Sequence, residues 1–146
     1  MRYQQRLDNL FEKVKDISDF ELQSHWARYL CILVSGYLET SVRAIYSEYS
    51  GKRANENVAN YVSSRLERFQ SPRMGNILEL TRGFSRQWAE ELKIATEGEL
   101  RESIDSIVAN RHNIAHGRDS GISYARIREY YQNAVKVIEL IEKQCS

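Results

Sequence analysis

At 146 residues the chain has the length of a single domain, residues 1–146, with none to spare for a second. With 42% hydrophobic and 28% charged residues and one proline, it reads as a globular chain that buries roughly two-thirds of its unfolded surface without staples. A net charge of +1, with no run of five like charges, excludes a global electrostatic case for nucleic acid; any such binding rests on a local patch.

No apolar segment reaches the roughly 20 residues that span a bilayer, and the N-terminus lacks a signal-peptide apolar region. The expectation is a reduced cytoplasm and no membrane association. Cys31 and Cys145 have neither metal-ligand nor disulfide-framework spacing, and Cys31, inside an apolar run, reads as a small core residue.

The first predicted helix runs from about Tyr3 to Ile17, with Leu7, Leu10, Phe11 and Val14 at three- and four-residue spacing. Ser18-Asp19-Phe20-Glu21 has the form of a capping box and restarts a helix. That second helix runs toward Ser50, with Gly51 as its stop. Its apolar residues form too broad a stripe for one seam, so it reads as a spine packed on more than one side. Ser35-Gly36 within it permits close backbone approach, either inside the bundle or at a dimer contact. A third helix spans Asn55 to Phe69, and Ser71-Pro72 signals the start of a fourth that ends before Gly83. A short piece from Trp88 to Ile94 precedes Thr96-Glu97-Gly98-Glu99, a second capping box. The helix it opens runs to Gly117, and Ser123 caps the last helix, with Ile127, Tyr131, Ala134, Val137 and Ile141 on its inner face. No sustained period-two pattern appears. The predicted fold is all-α, an up-and-down bundle with short additional helices.

One residue breaks this pattern. At about 100° per residue, Leu100, Ile104, Ile107, Val108, Ile114 and Ala115 share a face, and Arg111 falls in its middle. A guanidinium is costly to bury without partners, so Arg111 either reaches the rim or pairs with a buried carboxylate such as Glu39. His112 and His116, four apart, lie on one flank of the same helix. Arg111 and His116 are about 140° apart on a regular helix. Unwinding at Gly117 would let His116 swing toward the arginine; a two-fold axis would let the groups meet across two chains. Either arrangement sets a fixed positive fork beside a group that titrates near neutrality, which suits chemistry on a phosphodiester. The same two histidines resemble a zinc half-site. However, Asn113 stands where a zincin has glutamate, the only other histidine is His25, and Arg111 would repel a cation that Asp119 helped to hold.

Arg111-His112-Asn113-Ile114-Ala115-His116-Gly117 resembles the signature of the HEPN superfamily, small all-α domains marked by Arg-x4–6-His with a polar residue after the arginine. The stretch Phe20 to Cys31, the long helix with Ser35-Gly36 and Glu39, and the late Ile-Ala-His-Gly are similar to the small standalone RiboL-PSP-associated branch. The resemblance covers nearly the full length. It implies a metal-independent endoribonuclease without a cofactor, often a toxin opposed by an antitoxin protein. It further implies a homodimer with the active site at the interface. Carried onto this chain, Arg111 and His116 match the catalytic pair and His112 the auxiliary polar position, with Asn113 beside it. HEPN domains also occur as inert modules that bind a protein partner or nucleotide.

The corresponding mechanism is attack of a ribose 2′-hydroxyl on the adjacent phosphorus, with His116 assisting proton transfer and Arg111 stabilising the phosphoryl oxygens. Arg118, just past the motif, is a candidate RNA contact by position. Arg65, Arg68, Arg73, Arg82 and Arg86 outnumber Glu67 and Glu79 locally, and read either as an RNA-backbone surface or as a solvated helical face. The nine tyrosines fall mostly at core spacing, and none is assigned to RNA.

Overall fold

The computed structural model describes residues 2–146. Seven helices follow one another: α1 (Arg2–Lys15), α2 (Phe20–Arg53), α3 (Glu56–Leu66), α4 (Met74–Phe84), α5 (Arg86–Thr96), α6 (Glu99–Ala115) and α7 (Tyr124–Cys145). Among the described residues there is no strand, as the missing period-two pattern predicts.

Hydrogen bonds fix the directions of the bundle. Tyr3 Oη donates to the Leu33 carbonyl and Gln23 Nε2 to that of Val14, so α1 and α2 run antiparallel. Tyr124 Oη donates to the Phe11 carbonyl and Tyr131 Oη to Asp8 Oδ1, so α7 runs against α1 and therefore along α2. Asn133 on α7 donates to Ser103 Oγ near the start of α6, so these two helices form an antiparallel hairpin. This is the up-and-down arrangement, with α2 as the spine against α1, α3, α6 and α7. The inner stripes meet in one core that includes Leu7, Leu30, Leu38, Ile104, Ile127 and Ile141. The shorter helices lie over the second half of α2, where Tyr46 Oη bonds Thr81 Oγ1 of α4 at 2.7 Å and its ring stacks on Phe84.

Several predicted boundaries shift, each for a local reason. Asp19 rather than Ser18 caps α2, its side chain accepting from the Leu22 amide. Gly51 does not stop that helix. It stays helical and exposed, the turn continues through Lys52 and Arg53, and Arg53 lies over the Tyr49 ring. The chain turns at Ala54 because Asn55 caps α3. Ser71-Pro72 does not begin α4: Ser71 has φ 49°, Pro72 is buried, and Arg73 precedes the first turn with no side-chain cap of its own. The missing acceptor comes from α6, where Asp105 Oδ1 takes the Met74 N–H at 2.9 Å. Thr96 is no cap either. It is the last residue of α5, buried, with its hydroxyl donated to the Leu92 carbonyl, and Gly98 at φ 87° takes the turn instead. Ser123 caps α7 as its sequence position indicates.

Gly36 serves packing inside the bundle, since a Cβ there would lie 2.6 Å from Tyr3 Oη. Of the nine tyrosines, Tyr37, Tyr46 and Tyr131 are buried, while Tyr29 and Tyr61, expected at core spacing, are exposed.

Candidate active site at the end of α6

The buried stripe of α6 ends at Val108. Ile104, Ile107 and Val108 are buried, Ile114 is half-buried, and Arg111 and Ala115 are exposed. Arg111 therefore does not sit in the core, and the predicted pairing with Glu39 does not form. Glu39 Oε1 instead accepts from Arg43 Nη2 at 2.7 Å, and among the described residues Arg111 has no ion pair. The guanidinium still lies toward α2. Burial pushes the Cys31 thiol up to about 12, and the positive charge of Arg111 partly opposes that rise. Cys31 itself is fully buried, its Sγ directed at the Ile107 carbonyl.

The end of the helix is built by glycine. Gly117 at φ 69° lets its N–H reach the Ile114 carbonyl and the Arg118 N–H reach that of Asn113, the paired bonds of a Schellman turn. His116, at φ −94° and ψ 14°, closes the last turn. The unwinding does not carry His116 to Arg111. Its ring instead packs on that of His112, with centroids 4.3 Å apart and planes tilted by 55°. Among the described residues no hydrogen bond joins Arg111 to His116 within one chain. His112 links them, because it also lines a small cleft with Arg111.

That cleft is lined by Ser35 and Glu39 of α2, Ser71, Pro72 and Arg73 of the loop before α4, and Val108, Arg111 and His112 of α6. Sequence reading places Ser35 and Glu39 in packing or pairing roles and Arg73 in a diffuse basic stretch. Three distant segments make the cleft, and the only local signal is the spacing of Ser35 and Glu39, one turn apart on α2. Arg65, Arg68, Arg82 and Arg86 are exposed and do not line it.

The other predicted site residues lie at the surface around this end. Asn113 is half-buried and its carbonyl accepts the Arg118 amide at 2.8 Å. Arg118 is exposed, and among the described residues its guanidinium has no ion pair. Asp119 caps the following turn, its Oδ1 accepting from the Gly121 amide, and does not approach the histidines as a metal ligand would. Among the described residues no group of three or more His, Cys, Asp or Glu is placed to hold a metal.

The family model for RiboL-PSP-HEPN matches residues 2–146. The chain belongs to the RiboL-PSP-HEPN family. No curated protein and no solved structure matches it significantly. In this RiboL-PSP-HEPN protein the end of α6 gathers chemically versatile groups. A permanent cation and two imidazoles stand together at a helix end, open to solvent. Such a set can bind a phosphate through the guanidinium and move a proton through an imidazole. No described helix is long and apolar enough to cross a membrane.

Proposed function

We propose that this RiboL-PSP-HEPN protein is a metal-independent endoribonuclease. The observation that carries the reading is Arg111, exposed and free of any ion pair among the described residues, beside the packed pair His112 and His116. Glu39, on the same cleft wall, is held by Arg43, so the Arg111 guanidinium is left available to an anion.

The ribose 2′-hydroxyl attacks the adjacent phosphorus and the 5′-oxygen leaves. His116 assists proton transfer, His112 packs against its ring as the auxiliary polar group with Asn113 beside it, and Arg111 meets the charge that gathers on the phosphoryl oxygens. Arg118 offers a further contact to the backbone. The products are a 2′,3′-cyclic phosphate and a 5′-hydroxyl end; no cofactor takes part, and DNA, lacking the nucleophile, is not cut. Because Arg111 and His116 do not meet within one chain, the active form on this reading is a homodimer with the site at its interface. An enzyme of this kind acts in the cytoplasm as a toxin or defence effector restrained by an antitoxin protein.

The test is cleavage of mixed tRNA and mRNA in EDTA by wild type, Arg111→Ala and His116→Ala. Wild type is expected to cut, with each substitution lowering the rate on the order of 10²- to 10³-fold. Loss of wild-type activity in EDTA, or cutting of a matched DNA strand, would rule out the mechanism. Equal inactivity of three folded proteins favours an inert module that binds a protein partner or nucleotide.

A further inference from the structure

The cleft beside Arg111 holds groups that proton transfer by histidine leaves unused. Ser35 is 1% exposed, and among the described residues its Oγ has no hydrogen-bond partner. A buried hydroxyl without a partner is a net cost to the fold, so its place on this wall asks for a ligand. One turn further along α2, Glu39 gives Oε1 to Arg43, while no described donor occupies Oε2. The carboxylate is held in place, because Arg43 Nη2 also donates to the carbonyls of Glu67 and Phe69.

Size and charge narrow the occupant. The cleft is small, with a volume of about 50 Å³. A narrow, mostly polar cleft of this size suits a hydroxyl better than a nucleobase. A bare anion in the cleft would face the Glu39 carboxylate. A hydroxyl would instead donate to Glu39 and accept from Ser35 Oγ or Arg111. Arg73 and Arg111, on the same cleft, supply positive charge for the phosphates that flank a sugar.

We infer that the cleft is a ribose subsite, taking the 2′-hydroxyl of a nucleotide next to the scissile one. The inference rests on the ribonuclease reading and deepens it. RNA is selected by binding as well as by its need as a nucleophile, and Ser35 and Glu39 bind the strand without joining the reaction.

The experiment uses the full chain carrying His116→Ala, which silences cleavage, and titrates a labelled single-stranded RNA and the DNA of the same sequence. RNA is expected to bind about tenfold more tightly than DNA, the worth of one well-made hydrogen bond. Adding Ser35→Ala or Glu39→Gln brings that preference toward parity and leaves DNA affinity unchanged. Ser35→Ala removes no protein hydrogen bond, so it keeps the test sound if Glu39→Gln disturbs Arg43. An RNA preference undiminished in both variants, while wild type cleaves RNA, overturns the subsite and leaves the ribonuclease reading standing. Failure of RNA to bind, with no cleavage by wild type, overturns both.

Discussion

Single residues at this site are explained by what they lack. Ser35 Oγ is buried with no partner among the described residues, so in the unliganded chain Ser35→Ala is expected to stabilise by about 1 kcal/mol. That corresponds to a rise of about 3 °C in melting temperature by calorimetry. A fall of similar size would mean that the hydroxyl is bonded in the free protein. Cys31 makes the opposite case. It is fully buried with its thiol pushed up to about 12, chiefly by burial, so it is held as the unreactive thiol. Thiol labelling of the native chain at pH 8 is expected to modify the half-buried Cys145 alone, with Cys31 reacting only after unfolding. Rapid labelling of Cys31 would show that the contact between α2 and α6 opens. The sequence reveals that Arg111 is out of place in an apolar pattern. It does not reveal how the conflict is resolved, because that depends on where the stripe of α6 runs out and on Arg43 reaching Glu39 first.

Helix ends carry the next level of explanation, and here sequence signals identify the elements better than their boundaries. Asn55 and Ser123 each accept from an amide three residues on and start helices where the pattern marks them, while Ser85 caps α5, which begins at Arg86, two residues ahead of the predicted start at Trp88. The start of α4 is different. Its acceptor is Asp105, 31 residues away, and no local pattern could supply it. Asp105→Ala is therefore expected to cost about 1 kcal/mol, the usual worth of a cap, and to raise amide exchange selectively in the first turn of α4. Uniform exchange changes across the chain would place the effect elsewhere. Gly117 ends α6 at φ 69°, and a Cβ there meets nothing within 4 Å. The cost of Gly117→Ala is then conformational alone, about 1 kcal/mol, with Gly117→Asn milder. Because this turn fixes His116 against His112, the alanine variant should lose cleavage activity more than its melting temperature suggests.

For the whole molecule, the amphipathic periods are enough to indicate an all-α bundle, while the candidate site depends on tertiary contacts that no period encodes. Arg111 and His116 point to different neighbours within one chain, and the proposed dimer supplies the missing encounter. Mixing inactive Arg111→Ala with inactive His116→Ala tests this directly. If each site takes arginine from one chain and histidine from the other, half of the dimers are mixed and each mixed dimer has one intact site. An equimolar mixture should then regain about a quarter of wild-type activity. No recovery in exchanged dimers would mean that each chain works alone. The cleft has a further consequence in time. Its walls come from residues 35–39, 71–73 and 108–112, so it forms only after α6 has followed α2 and the loop before α4. A growing chain on the ribosome carries the spine helix long before it carries the site, so a protein that cuts RNA would stay harmless until α6 has emerged and packed against α2.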